Sequence, residues 1–133
     1  MAATDEADRY HASAYDLVRG VSGHSLAALD LTLYEVANVM LRRLRRTDPQ
    51  AGTAAVSDAV HAVLLASDGR PLPIDTELIA AAAQLSLDYN LTAYDAAYVA
   101  AAHLHGCALV SVDIADLVSR ELAVTPDSIA PVS

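Results

Sequence analysis

The segment Leu91-Thr-Ala-Tyr-Asp95-Ala-Ala-Tyr-Val-Ala-Ala-Ala-His-Leu-His105 leads directly into Gly106-Cys-Ala-Leu-Val-Ser-Val-Asp113. The first stretch is typical of a long apolar helix, and the second predicts a short apolar strand. Asp95 lies in the first turn of the helix, and Asp113 lies at the end of the strand. Because burying an unpaired charge is costly, an acid on so apolar a helix needs a partner. A hydrogen bond, a basic side chain or a metal ion would supply one.

The helical and strand patterns alternate along the rest of the chain. Helices that alternate with short apolar strands predict an α/β domain with a short parallel sheet, and the helix content is high for that class. The predicted helices cover 8–19, 32–46, 49–67, 75–89, 92–105 and 114–120. The predicted strands cover 26–31, 108–112 and 122–124, with an extended segment at 72–74.

The length and composition of the chain predict one domain over residues 1–133, large enough for a core. The chain is 54% hydrophobic, but it has no apolar run long enough to predict a membrane span. The acidic N-terminal segment lacks the apolar region of a secretory signal, and the single Cys107 fits a reducing compartment. A cytoplasmic location is therefore expected.

The charge distribution combines an acidic total with one basic cluster. The formal net charge of −9 argues against a protein that coats nucleic acid non-specifically, because such binding needs broad phosphate neutralisation. All eight basic residues are arginines, and Arg42, Arg43, Arg45 and Arg46 lie together. These side chains either oppose the dipole at a helix C-terminus or contact phosphates or an acidic partner, with Arg42 and Arg45 as the candidate contacts.

The carboxylates have a structural and a chemical interpretation. Glu35 follows Thr32, and Asp95 follows Thr92, at the spacing of a helix capping box. Asp113 has the position of an N-cap, but it also follows a predicted parallel strand, where α/β proteins bind ligands. Asp116, one turn further on, is placed to share that site. Several carboxylates that meet at one point repel one another unless cations hold them, and Mg²⁺ and Mn²⁺ prefer such oxygens.

The combination of motifs resembles the PIN-domain family, and most closely the VapC-type toxins of bacterial toxin–antitoxin pairs. The motifs are Tyr34-Glu35-Val-Ala-Asn38-Val, Leu91-Thr-Ala-Tyr-Asp95-Ala-Ala-Tyr, and Leu109-Val-Ser-Val-Asp113. The resemblance implies a three-layer PIN-like fold whose short parallel sheet is flanked by helices. It also implies an endoribonuclease that uses Mg²⁺ or Mn²⁺ at a cluster of acids.

The resemblance also implies roles for particular residues. Glu35, Asp95 and Asp113 match acidic positions of the family and would be catalytic metal ligands, with Asp116 as an auxiliary fourth. The residues expected to support them are Asn38, Thr92 and Ser111. RNA is the implied substrate, with Arg42 and Arg45 as contacts to RNA or to an antitoxin-like protein.

The sequence departs from the family pattern at its start. PIN domains usually begin with a strand that ends in an Asp, and no such strand is visible, since Asp5 lacks a preceding apolar run. Without that strand its neighbours would expose backbone donors and acceptors, so a second subunit or a rearranged segment is predicted to cover the gap. A homodimer is therefore expected. Two alternatives stay open: an inactive PIN-like module that binds or dimerises, and a mostly helical interaction protein whose acids are only caps.

Overall fold

Five α-helices make up most of the residues that the computed structural model describes, which are residues 9–20 and 23–132. They are α1 (His11–Val18), α2 (Asp30–Thr47), α3 (Gly52–Ala66), α4 (Thr76–Tyr89) and α5 (Ala93–His105). Shorter helical turns cover Pro49–Ala51, Ile114–Val118 and Pro126–Ser128. The first predicted helix was expected to begin at Asp8, which lies outside the described residues.

Local sequence signals set the ends of several helices. Asp48 caps the turn that precedes α3, where its carboxylate accepts the Gln50 N–H at 3.1 Å. Asp75 caps α4 by accepting the Leu78 N–H at 2.9 Å. Asn90 ends α4 in the left-handed conformation that favours a helix C-terminus. The helical boundaries predicted at 49, 75 and 89 agree with these ends to within one residue.

The first predicted strand is reduced to one parallel pair, Leu29 with Leu72. Leu72 donates its N–H to the Ala28 carbonyl at 2.7 Å and accepts the Asp30 N–H at 3.0 Å. The pairing cannot continue past Asp30, because α2 begins there and not at Thr32 as predicted. Leu72 also lies between two prolines, which have no N–H to offer a further strand on its other side.

The predicted strands 108–112 and 122–124 meet in an equally short pairing, with Val110 opposite Val124. Val124 donates to the Leu109 carbonyl and accepts the Ser111 N–H, both at 2.9 Å. The next donor in this parallel register would be the N–H of residue 126, and Pro126 has none. The described residues therefore contain two isolated parallel bridges in place of the predicted sheet, and that sheet is not confirmed.

The core is centred on α5, which packs against α4. Small alanine side chains on α5 let the two backbones approach closely around the fully buried Val99. Leu29 enters the same cluster from the segment before α2, together with Leu117 from the Ile114–Val118 turn. The other buried members are Leu78, Ala82, Leu91, Ala96, Ala97, Ala100, Ala101 and Ala123.

The remaining helices lie outside this central pair. α2 packs against α3, and α1 packs against the Pro126–Ser128 turn. Val36 of α2 is almost completely buried. None of the helices in the described part of the chain is long and apolar enough to cross a membrane.

We predict that Leu29→Ala lowers the free energy of unfolding by about 2–5 kcal/mol, because Leu29 is only 2% exposed and its truncation leaves a cavity. Denaturant unfolding followed by circular dichroism measures this change. Leu87→Ala is the matched control, since Leu87 is 81% exposed and its loss is expected to cost less than about 0.5 kcal/mol. Equal losses in the two variants would contradict the central position of Leu29.

Candidate functional site

The Tyr98 hydroxyl links α5 to α2. It donates to Oε2 of Glu35 at 2.5 Å and lies 2.9 Å from Oγ1 of Thr32. A tyrosine has a single hydroxyl proton, and Glu35 receives it, so the Thr32 hydroxyl donates to the Tyr98 oxygen. Oγ1 of Thr32 in turn accepts the Leu29 N–H at 3.1 Å. A directed chain of hydrogen bonds thus runs from the backbone before α2 to the Glu35 carboxylate.

The environment of Tyr98 keeps its hydroxyl protonated. Burial raises the pKa of Tyr98 most, and the hydrogen bond to the Glu35 carboxylate raises it further. The negative charge of Asp95 acts in the same direction, whereas the hydrogen bond from Thr32 lowers the pKa. Tyr98 therefore stays a donor over the whole physiological pH range, and both Glu35 and Asp95 lie close enough to influence it.

Asp95 and Thr92 form a reciprocal pair at the start of α5. The Thr92 hydroxyl accepts the Asp95 N–H at 3.1 Å and donates to Oδ2 of Asp95 at 2.7 Å. This geometry confirms the capping prediction for these two residues. Asp95 itself is half-buried, with one oxygen fixed by Thr92.

The capping prediction for Glu35 is wrong. α2 begins at Asp30 with Leu29 as its N-cap, so Thr32 is the third residue of the helix and not its cap. The Thr32 hydroxyl accepts the Leu29 N–H and contacts the Tyr98 hydroxyl, and it forms no capping box with Glu35. Sequence reasoning also missed Tyr98 as a site residue. Tyr98 could have been found from its position, because it lies three residues after Asp95 on a face of α5 made otherwise of alanine and valine.

Asp113 lies in its own set of hydrogen bonds. Its Oδ1 caps the Ile114–Val118 turn by accepting the Asp116 N–H at 3.0 Å, as its N-cap prediction required. The Asp113 N–H donates to Oγ of Ser111 at 3.1 Å. The Asp116 carboxylate lies 3.6 Å from Arg120, an exposed ion pair of the kind that contributes little stability.

Asn38, Arg42 and Arg45 lie exposed on α2 beyond Glu35. With about 100° of rotation per residue, all three lie within about 80° of Glu35 around the axis of α2, and all in the same direction from Glu35. We call these four residues the α2 strip. The guanidinium groups of Arg42 and Arg45 thus lie on the same helix as the Glu35 carboxylate, about 10–15 Å from Glu35 along the axis at a rise of 1.5 Å per residue.

The donor chemistry of the site fits a hard divalent cation only in part. Carboxylate oxygens are the ligands that Mg²⁺ and Mn²⁺ prefer, and the Tyr98 hydroxyl joins Glu35 on α2 to the helix that carries Asp95. Over residues 9–20 and 23–132, however, no group of three or more acidic, histidine or cysteine side chains is placed to hold a metal ion. Asp5, the residue considered for the missing strand, lies outside the described residues.

Comparison with known proteins identifies the family. The family model of the PIN domain matches residues 1–117, which is most of the chain. The chain belongs to the PIN domain family. No curated protein and no solved structure matches it significantly. The match confirms the family that the three sequence motifs indicated, and PIN domains are generally nucleases that use divalent metals.

We predict that Tyr98→Phe loses about 1.5–3 kcal/mol of unfolding free energy near neutral pH, because it removes a hydrogen bond to a charged acceptor. The raised pKa of Tyr98 means that the folded protein keeps a proton which the unfolded chain releases above about pH 10. The stability that the hydroxyl contributes is therefore complete below that pH and declines as the pH rises further. The wild type should lose stability more steeply than Tyr98→Phe.

Denaturant unfolding of both proteins from pH 7 to about 11 measures this difference. Tyr34→Phe is the control near neutral pH, because it removes an exposed hydroxyl from α2 and should change the free energy of unfolding by less than about 0.5 kcal/mol. Parallel pH curves for the wild type and Tyr98→Phe would contradict the assigned role of Tyr98.

Proposed function

We propose that this PIN domain is a metal-dependent endoribonuclease of the VapC toxin type, which cleaves RNA with Mg²⁺ or Mn²⁺. The observation that carries the proposal is the junction of α2 and α5, where Tyr98, three residues after Asp95 on α5, donates a hydrogen bond to Glu35 on α2. Helix capping does not require a hydrogen bond between these two helices. Membership of the PIN family supplies the nuclease class.

Each of the two central acids has one oxygen fixed by a hydroxyl. Tyr98 holds Oε2 of Glu35, and Thr92 holds Oδ2 of Asp95. Oε1 of Glu35 and Oδ1 of Asp95 have no hydrogen-bond partner among the described residues. These oxygens would bind the cation, and the fixed ones would set the orientation of both side chains. A bound divalent cation activates water and stabilises the charge that develops in phosphodiester cleavage.

Asp113 and Asp116 complete the proposed set of acids. One oxygen of Asp113 is used by the N-cap, and the other is available for a ligand. Ser111 holds the backbone of Asp113, while Asn38 is the nearest polar side chain to Glu35 on the α2 strip. Together with Glu35 and Asp95, these two acids would hold the divalent cation.

The second candidate function is a PIN-like module that is catalytically inactive as this chain and binds a second copy or an antitoxin-like protein. The observation that favours it is the lack of a three-acid metal group among the described residues. In this alternative the carboxylates only cap helices and accept the hydrogen bond from Tyr98. A homodimer and an antitoxin-like partner are compatible with either function.

We expect the wild type to cleave a labelled single-stranded RNA in Mn²⁺ and to lose this activity with a chelator. Glu35→Gln, Asp95→Asn and Asp113→Asn should each reduce cleavage at least about 10-fold, because they replace a charged metal ligand by a neutral amide. The amides keep the hydrogen bonds to Tyr98 and Thr92 and the N-cap, so folding should be retained. A gel-based cleavage assay measures the rates.

Two further measurements separate the alternatives. Mn²⁺ should raise the melting temperature of the wild type but not of Asp95→Asn, because a ligand of the folded state stabilises it. Asp88→Asn is the matched control, since Asp88 accepts a hydrogen bond from Gln84 on α4 and lies outside the site. Cleavage that survives the chelator or all three substitutions contradicts the proposal, and RNA binding without any cleavage favours the inactive module.

We also expect Arg42→Ala with Arg45→Ala to weaken RNA binding equally for different sequences and to lower the slope of log K against log salt by about 0.7 for each arginine. Fluorescence anisotropy in chelator measures affinity without cleavage. Arg43→Ala is the control, because it removes the same charge from the same helix. Arg43 lies about 80° from Glu35 in the opposite direction around the axis from Arg42 and Arg45, so its loss should weaken RNA binding less. Unchanged affinity in the double variant would leave Arg42 and Arg45 only the role of opposing the α2 dipole.

A further inference from the structure

Arg120 contacts two separate parts of the fold with one guanidinium group. Its Nη1 donates to the Tyr89 carbonyl at the end of α4, and its Nη2 lies 3.6 Å from Oδ1 of Asp116. The Asp116 pair has the four-residue spacing of a local helical contact, whereas Tyr89 is 31 residues away along the chain. The second contact therefore exists only through the tertiary structure, and the proposed cation site does not include Arg120.

Both contacts lie next to acids of the proposed cation site. Asp116 is itself one of these acids, and it belongs to the turn that Asp113 caps. Tyr89 is the last residue of α4, and Thr92, which fixes Oδ2 of Asp95, follows three residues later. One guanidinium group therefore connects the turn that carries two of the acids to the segment from which α5 and its acid begin.

The Ile114–Val118 turn has a buried side and an exposed side. Leu117 is 4% exposed and belongs to the core cluster, whereas the Asp116 side chain is 59% exposed. The Val118 N–H donates to the Asp113 carbonyl at 3.0 Å, across five residues, so the turn is wound more widely than an α-helix. A turn anchored by one buried side chain can still rotate about it, and an attachment on its exposed side limits that rotation.

We propose that Arg120 is a positioning residue of the cation site. By holding Asp116 and the Tyr89 carbonyl together, it fixes the Ile114–Val118 turn relative to the start of α5. The inference rests on the proposed function in taking a divalent cation as the ligand, and it adds the group that orients two of the acids. Arginine suits this role because its planar guanidinium carries several N–H donors in a fixed geometry, so that it holds two acceptors at once.

The charge of Arg120 and its positioning role have opposite effects on cation binding. A guanidinium beside Asp116 competes with a cation for that carboxylate, so loss of the charge alone would tighten cation binding. The two side chains are 36% and 59% exposed, and solvent screening limits such an effect to about 5-fold. Loss of a partner that orients metal ligands weakens metal affinity by about 10- to 100-fold. Positioning therefore predicts a net weakening when Arg120 is removed.

The test is the binding of Mn²⁺ without RNA, measured from the electron paramagnetic resonance of the free ion. Arg120→Ala should raise the Kd for Mn²⁺ about 10- to 100-fold. Arg120→Lys should have an intermediate Kd, because one ammonium nitrogen replaces the planar fork. Arg70→Ala is the matched control, since it removes the same charge from an exposed arginine after α3 and should leave the Kd unchanged.

Two further measurements separate positioning from a general loss of structure. Without any cation, amide hydrogen exchange in the Ile114–Val118 turn should be faster in Arg120→Ala than in the wild type, while exchange in α5 stays the same. In the cleavage assay, excess Mn²⁺ should restore the rate of Arg120→Ala. Its RNA affinity in chelator should fall no further than that of Arg70→Ala.

The inference is overturned if Arg120→Ala binds Mn²⁺ as tightly as the wild type or more tightly, or if the wild type binds no Mn²⁺. Weaker Mn²⁺ binding in Arg120→Ala, with no RNA cleavage by the wild type, would uphold this inference and reject the nuclease. Chelator-sensitive cleavage that needs the same Mn²⁺ concentration in the wild type and in Arg120→Ala would uphold the nuclease and reject this inference.

Discussion

The hydrogen bond from Tyr98 to Glu35 is the interaction on which the geometry of the site depends. α5 is buried along alanine and valine, and Tyr98 brings a hydroxyl group to the edge of that apolar face. A half-buried carboxylate needs a donor, and here the donor comes from the other helix. This hydrogen bond joins α2 to α5 and limits how far the Glu35 carboxylate can move from α5.

Small side chains make this constraint effective. Ala96 and Ala100 are almost completely buried, and Ala82 of α4 belongs to the same cluster. Alanine buries little apolar area, but it allows helix backbones to approach closely, so α4 and α5 form a tightly packed pair. Acids carried on packed helices are held more precisely than acids on loops, which would suit the proposed metal site.

Several side chains have a structural role that leaves an oxygen available for the proposed chemistry. Thr92 caps α5 and fixes one oxygen of Asp95, and Asp113 uses one oxygen as an N-cap. A carboxylate has two oxygens, so a cap does not exhaust its capacity for ligands. The capping interpretation and the metal-ligand interpretation of the same acids are therefore compatible, and an amide substitution separates them because it keeps the cap and removes the charge.

The sequence by itself determined the features that depend on neighbours in the chain. The caps at Asp48, Asp75 and Thr92 and the break at Asn90 each involve groups a few residues apart, so residue type and spacing were sufficient. The three short motifs, read together, also indicated the PIN family that the family model confirms.

Only the tertiary structure decided which groups meet over long separations. Glu35 and Tyr98 are 63 residues apart, and nothing local distinguishes this pair from the capping box that Thr32 and Glu35 imitate. The apolar strand patterns were present, but a helix start at Asp30 and the missing N–H of Pro126 limited each pairing to one bridge. Helix packing and backbone donors on distant segments fix these outcomes, and neither can be read from the residues of one element.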